Sequence, residues 1–336
     1  MSGGGTGVQT TIITDEDDKT RLDKWLMRRF PGLSKGEIYK WMRTGQVRLD
    51  GKRVKPDSRV LTGQEIRIPP VSWEAYQTFK QEKKVTEEDK LEAVNRIKDL
   101  TIYEDDSVLV INKPYGMASQ GGSKVKEHID GLIAHLETDK IKPRLVHRLD
   151  KDTTGVLLIA KTLKIARVLG ETFKTRQARK YYWAVVAPTP QMNEGIIEAN
   201  IAKGQSYGGE RVMVDDVDGK FSRSEYWILE KAHRKAAWLC LKPETGRTHQ
   251  LRVHTAMMGS PIVGDSKYGQ DLEEPVELED LKQANKLHLH ARRLIMPHPS
   301  GRGILDVTAP LPPHMEDTFK YFEFNPQLGN TLPDEE

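Results

Sequence analysis

Arg144-Leu145-Val146-His147-Arg148-Leu149-Asp150-Lys151-Asp152-Thr153-Thr154-Gly155-Val156-Leu157-Leu158-Ile159-Ala160 is the stretch from which the rest of the chain is best read. Its second half, Val156 to Ala160, is an unbroken apolar run of the length of a strand buried on both faces. Its first half crowds cations, carboxylates and threonines into the approach to that strand. A loop anchored to a buried strand is a rigid platform on which a carboxylate can be held in one orientation. Asp150 and Asp152 are therefore candidates for acid, base or nucleophilic work. The competing reading is a loop whose Asp and Thr side chains merely bond to backbone.

Outward from this stretch, further β-branched runs occur at Val108–Ile111, Tyr182–Val186 and Leu251–Val253, interleaved with a helical pattern over Lys164–Thr175. The mixture predicts an α+β domain over residues 99–325, built on a mixed, mostly antiparallel sheet. Residues 326–336 read as a tail. Residues 71–98 are polar and charge-rich and read as a linker, helical in part towards Leu91–Asn95. No repeat of fixed period is visible.

Before the linker, residues 19–70 read as a small α/β domain. Leu22, Trp25, Leu26 and Phe30 share one helical face, which Pro31-Gly32 should end. Ser34-Lys35-Gly36-Glu37 is a capping-box signature, after which Ile38, Trp41 and Met42 form an apolar stripe. Lys35, Lys40 and Arg43 are left on the outer side. Val47 and Leu49, the turn pair Asp50-Gly51, and Val54 predict a hairpin, and Glu65–Ile68 a last strand. Residues 1–18, glycine- and threonine-rich and then acidic, read as a disordered tail with no signal or transit pattern.

Charge is unevenly spread over the 336 residues, although the net is only +3. Between Lys19 and Arg67 there are fourteen Lys or Arg against five Asp or Glu. Such a local excess is what contact with nucleic-acid phosphates requires, while a solvated basic face is the plainer reading. Asp271 to Asp280 carries six carboxylates and no cation. No apolar run approaches the length of a membrane span, so no membrane partner is expected. One cysteine, Cys240, set in the apolar run Ala236–Leu241, points to a core position and a reducing, cytoplasmic compartment.

Other chemistries find no foothold. There is no P-loop and no glycine-rich nucleotide fingerprint, no pair of CxxC motifs and no HExxH. His249 and His254, read on a strand, point to opposite faces; His288 and His290 share a face and read as structural histidines more readily than as a metal pair. Ser266 lacks nucleophile-elbow spacing. Neither a cofactor nor a metal is expected.

The segment HRLDKDTTG resembles the active-site motif of the RluA/RluC family of pseudouridine synthases. In the same order, Asn112–Gly116 is similar to that family's NKPxG element, Lys180–Ala184 to KxYxA, and Leu241–His254 to LKPxTGRTHQ(L/I)RVH. Pro261–Asp265 and Leu287–Ala291 complete the series. Residues from about Lys19 to Pro70 resemble the S4-type RNA-binding domain. The resemblance implies a cofactor-independent enzyme that isomerises uridines in structured RNA. The N-terminal module and the Ala118–Ser123 segment resemble the RluC branch, which implies large-subunit ribosomal RNA as partner. The enzyme is expected to act as a monomer.

By the same resemblance Asp150 is the catalytic carboxylate, Tyr182 packs on the uracil and assists proton transfer, and Arg252 pairs with Asp150. Arg148 enters the RNA to displace the target nucleotide, Leu251 lines the pocket, and Lys180 pairs near the site. His147 is assigned packing or hydrogen bonding. Lys35, Lys40, Arg43, Arg48 and Lys52 are expected near RNA backbone. The residue types suit the reaction: a glycosidic bond breaks, the base turns and rejoins through carbon, and one ionised carboxylate is needed, acting as nucleophile or as base on the sugar. Two other readings exist: a non-catalytic RNA-binding factor with the same fold, and a two-carboxylate hydrolase using Asp150 and Asp152.

Overall fold

The computed structural model describes residues 8–30, 33–70, 86–121, 127–206, 209–269, 281 and 283–334. They divide into two units, one ending at Asp89 and the other beginning at Lys90. In the first, the capping box is complete: Ser34 Oγ accepts from Glu37 N–H at 3.2 Å, and the Glu37 carboxylate accepts from Ser34 N–H at 2.9 Å. Helices α1 (Leu22–Arg29) and α2 (Lys35–Arg43) pack their apolar stripes on a four-stranded sheet. Its strands are β1 (Gln9–Ile12), β2 (Arg48–Leu49), β3 (Lys52–Arg53) and β4 (Glu65–Ile68), in the order β1-β4-β2-β3. Asp50 and Gly51, with φ of 48° and 74°, make the left-handed pair that a two-residue hairpin turn requires.

The disordered tail expected over residues 1–18 is corrected in its second half. Gln9–Ile12 pairs antiparallel with β4, because a run of β-branched residues meets an open strand edge there. Residues 1–7 lie outside the described residues, as do Pro31-Gly32 and the acidic stretch 271–280.

The second unit is built on an eleven-stranded sheet. Along the main path run β11 (Gly209–Val214), β10 (Glu194–Ser206), β12 (Lys220–Ala232), β13 (Ala236–Pro243), β9 (Arg179–Val186), β14 (Leu289–Pro297), β8 (Thr154–Ala160), β6 (Val108–Lys113) and β5 (Thr101–Glu104). Strand β7 (Arg144–Leu145) pairs with β8, and β15 (Ile304–Thr308) with β14. All pairings are antiparallel except β14 with β8, so the sheet is mixed as the sequence implies. Every residue of β8 is buried. Its alternation sends Val156, Leu158 and Ala160 to one core and Leu157 and Ile159 to the other. Helix α5 (Leu163–Lys174) covers the first core; α3 (Glu87–Leu100) and α4 (Ile129–Ala134) cover the second.

Three expectations change here. Of the linker 71–98, residues 71–85 lie outside the described residues, but 87–98 belong to α3, whose Ala93 and Ile97 are buried with Leu157 and Ile159. A sparse apolar stripe on a charged helix is easily mistaken for linker composition. The Leu251–Val253 run is not a strand: it lies in α6 (Gln250–Met257), buried over most of its length. A short apolar run reads alike for a buried helix and a strand. The tail 326–336 is docked as far as Asp334, whose carboxylate accepts from Tyr181 O–H at 3.0 Å and Lys242 Nζ at 2.7 Å, beside buried Leu332. Among the described residues no helix is long and apolar enough to cross a membrane.

Candidate active site

Where β8 runs parallel to β14, Gly155 lies against Ala291. Its φ is +107°, and a Cβ there would lie 2.2 Å from the Ala291 carbonyl oxygen, so only glycine fits. The loop before it is braced on both sides of Asp150. Ser119 Oγ donates to the Leu149 carbonyl at 2.7 Å and accepts from Leu149 N–H at 3.0 Å. Lys113, at the end of β6 and wholly buried, donates through Nζ to the carbonyls of Lys151, Met117 and Pro114 at 2.7–2.9 Å. Burial pushes its pKa down to about 7, against the pull of Asp152 and Asp150. His147 accepts from Leu158 N–H through Nε2 at 2.9 Å and lies against Phe173. Burial, helped by Lys180, lowers its pKa to about 3, so the ring is neutral. It packs and accepts a hydrogen bond, as expected.

Asp150 opens into a cleft of about 560 Å³ that Arg148, Lys180, Tyr182, Leu251 and Arg252 also line. Every candidate of the second unit is thus brought to one place, although the residues come from a loop, a strand and a helix. Lys174, Arg176 and Arg247 line the cleft too. Of the carboxylates on its wall, Glu244 is held by Arg223 Nε at 2.7 Å. The cleft is therefore basic around Asp150, which suits an anionic chain. Tyr182 is raised in pKa, first by burial and then by the Asp150 charge, so its hydroxyl keeps its proton. Arg148 is exposed. Lys180 is half-buried; burial first and Arg176 second lower its pKa, and the expected pairing near the site is not seen among the described residues.

The direct Arg252–Asp150 pair is corrected. Arg252 Nε and Nη2 donate to the two oxygens of Asp265 at 2.7 and 2.6 Å, a two-pronged fit inside the protein. Burial disfavours its charge, but Asp265 outweighs burial and raises its pKa, with Asp150 a more distant contributor. The guanidinium prefers the carboxylate that burial strips most fully of water, and Asp265 is wholly buried where Asp150 is partly open. The basic group within 4 Å of Asp150 is instead His249, whose Nε2 lies 3.8 Å from Oδ2.

His249 precedes α6 in the left-handed region. Gln250 ties the turn before it, accepting from Thr245 Oγ1 at 2.6 Å and Arg247 N–H at 3.1 Å while donating to the Arg223 carbonyl at 2.9 Å. His288 and His290 are buried and bonded to Thr318 and Thr154, and Cys240 is a core residue whose thiol burial pushes up to about 12. Lys113, Ser119 and His249 are the site residues that sequence reasoning misses. Their motifs are visible, but what each side chain braces is decided by distant backbone.

In the first unit Lys35, Lys40, Arg43 and Lys52 are exposed. Arg48 is half-buried and turned inward, donating to the carbonyls of Gly51 at 3.1 Å and Gly45 at 3.3 Å.

Residues 107–257 match the family model described as RNA pseudouridylate synthase, and residues 20–66 match that of the S4 domain. The chain is 35% identical over 311 residues to the ribosomal large subunit pseudouridine synthase C of Haemophilus ducreyi, covering 92% of this chain and 94% of that protein. It is 36% identical over 306 residues to the protein of the same name in Escherichia coli strain K12, covering 90% and 93%. Among solved structures, human RNA pseudouridylate synthase domain containing 4 matches with a TM-score of 0.58 and 28% identity, covering 69% of this chain and 97% of that one.

Proposed function

The chain belongs to the RluA/RluC family of RNA pseudouridine synthases, and from that premise we propose that it converts uridines of large-subunit ribosomal RNA to pseudouridine, with Asp150 as the catalytic carboxylate. The observation that carries the assignment is the convergence of Asp150, Tyr182, Leu251, Arg148 and Lys180 on one basic cleft. Uridine and pseudouridine are isomers, so the reaction draws on no co-substrate. Asp150 acts at the sugar–base junction, as nucleophile or as base on the sugar. Tyr182 packs on the uracil with its hydroxyl protonated. A base stacked in a helix must leave the stack at a cost of a few kcal/mol, and Arg148 fills the gap it leaves. Lys180 lies near the flanking backbone, and Arg252 acts on the site through its hold on Asp265.

Lys35, Lys40, Arg43 and Lys52 of the S4 module bear on phosphates, and Arg48 on the turn that carries Lys52. A ribosomal substrate places the enzyme in the cytosol, where a single chain supplies all of these groups.

Asp150→Asn keeps the size and removes the charge. It is expected to lower single-turnover pseudouridine formation by about a thousandfold or more while RNA affinity is kept, the pattern of a lost chemical group. Product at the wild-type rate would end the reading, and release of free uracil would indicate hydrolysis in place of isomerisation.

A further inference from the structure

With Arg252 committed to Asp265, the His249 ring stands 3.8 Å from Asp150 and is mostly buried. Its backbone has φ 54° and ψ 16°, a conformation that costs a residue with a Cβ about 1 kcal/mol or more and gathers where geometry serves a site. Although His249 stands at the N-cap of α6, its side chain makes no capping hydrogen bond. The strained position therefore aims the ring elsewhere. Nδ1 is 2.8 Å from the hydroxyl of Tyr268. That hydroxyl oxygen already accepts from Val212 N–H at 3.1 Å, which leaves its own hydrogen free for Nδ1. Tyr268 is itself clamped: it is buried, with the guanidinium groups of Arg211 and Arg252 4.9 and 5.2 Å from its ring centre.

We propose that His249 is a positioning residue for Asp150: Tyr268 holds its Nδ1, so that Nε2–H is presented to the carboxylate and fixes which oxygen faces the sugar–base junction. The proposal rests on the reading of Asp150 as the catalytic group. The charged groups around the ring are Asp150, Arg252, Lys267 and Asp265. Burial foremost, then Arg252 and Lys267, lower the histidine pKa against the pull of Asp150 and Asp265, so the ring is neutral and has a single N–H to place. A separation of 3.8 Å exceeds a hydrogen bond, but such contacts commonly tighten only with substrate bound.

The test is single-turnover pseudouridine formation against pH for wild type, His249→Gln, His249→Asn and Tyr268→Phe, with Asp150→Asn as reference. Asn accepts the left-handed backbone but is too short to reach Asp150, whereas the Gln amide places an N–H near the position of Nε2. The Asn variant is expected to lose about tenfold to a hundredfold in rate, the scale of one hydrogen bond to a charged group. Its acid limb is expected to move up by about one pH unit, because the carboxylate has lost a donor that favours its ionised form. His249→Gln should recover most of both effects, Tyr268→Phe should move the limb in the same direction, and RNA affinity should be unchanged throughout. A rate that falls equally at all pH values in the Asn variant, with Gln no better, overturns the proposal. If the His249 variants do not fold, an unmoved acid limb in Tyr268→Phe overturns it. An active Asp150→Asn enzyme overturns the parent reading instead, which keeps the two failures apart.

Discussion

Arg252 forks onto Asp265, whose side chain is fully buried, and the pair also stacks the guanidinium on Tyr268. Removing one member of such a pair strands the other charge without water, at a cost of about 3–5 kcal/mol. Arg252→Met should therefore lower the urea midpoint and abolish activity. Arg252→Lys keeps the charge but loses the planar fork, so it should retain partial activity and lose less stability. Asp265→Asn separates scaffold from electrostatics. It should reproduce most of the Met variant's loss of rate if Arg252 serves the site by holding the α6 end of the cleft in place. Full activity in Asp265→Asn together with inactivity in Arg252→Lys would show that the guanidinium acts on Asp150 directly.

At the scale of elements, α2 joins two properties in nine residues. Its Ile38 and Met42 are buried against the four-stranded sheet, and its Lys35, Lys40 and Arg43 face solvent. If these cations neutralise phosphates, each contact releases counterions on binding. Replacing all three by Gln should then reduce the slope of log affinity against log salt by about two to three, at roughly 0.7–0.9 per lost contact. The chemical step on bound RNA should be unaffected, since Asp150 lies in the other unit. The measurement is binding to a large-subunit RNA fragment across a salt series, and an unchanged slope would remove α2 from the RNA interface.

Over the whole molecule, buried histidines set the response to acid. His254, His288 and His290 have no exposed surface, and burial lowers their pKa values to about 4, 4 and 3 from 6.5. Each ring has one nitrogen bonded to a hydroxyl, of Ser222, Thr318 and Thr154 respectively, and His254 Nδ1 is buried with no partner, so a charge on these rings would be poorly met. Below pH 6.5 the unfolded chain takes up protons that the folded chain refuses, so stability falls as pH falls. These three groups alone make the slope about 4 kcal/mol per pH unit over the steep part, and His147, lowered to about 3, steepens it further. With total stability of the order of 5–15 kcal/mol, that slope should unfold the second unit between about pH 5 and 3, the depressed carboxylates such as Asp105 and Asp334 adding to the loss at the lower end. Urea midpoints measured from pH 7 to 4.5 check this, and a flat profile would contradict it.

Much of this was legible in the residues alone. The apolar run Val156–Ala160 determined a central buried strand because no partly wet position tolerates it. Ser34 and Glu37 determined a helix start, and Asp50-Gly51 a hairpin, because those bonds and dihedrals are local. The order of motifs singled out side chains that the fold brings to one cleft. Only tertiary structure decided the rest. Leu251–Val253 became helix because Gln250 and the left-handed His249 start α6 there, and β1 joined the sheet because β4 offered it an edge. Arg252 turned to Asp265 because a charge goes to the partner that burial has most deprived of water, and the left-handed backbone of His249 set its ring 3.8 Å from Asp150. That deprivation depends on residues far away in the chain, so no local pattern can carry it.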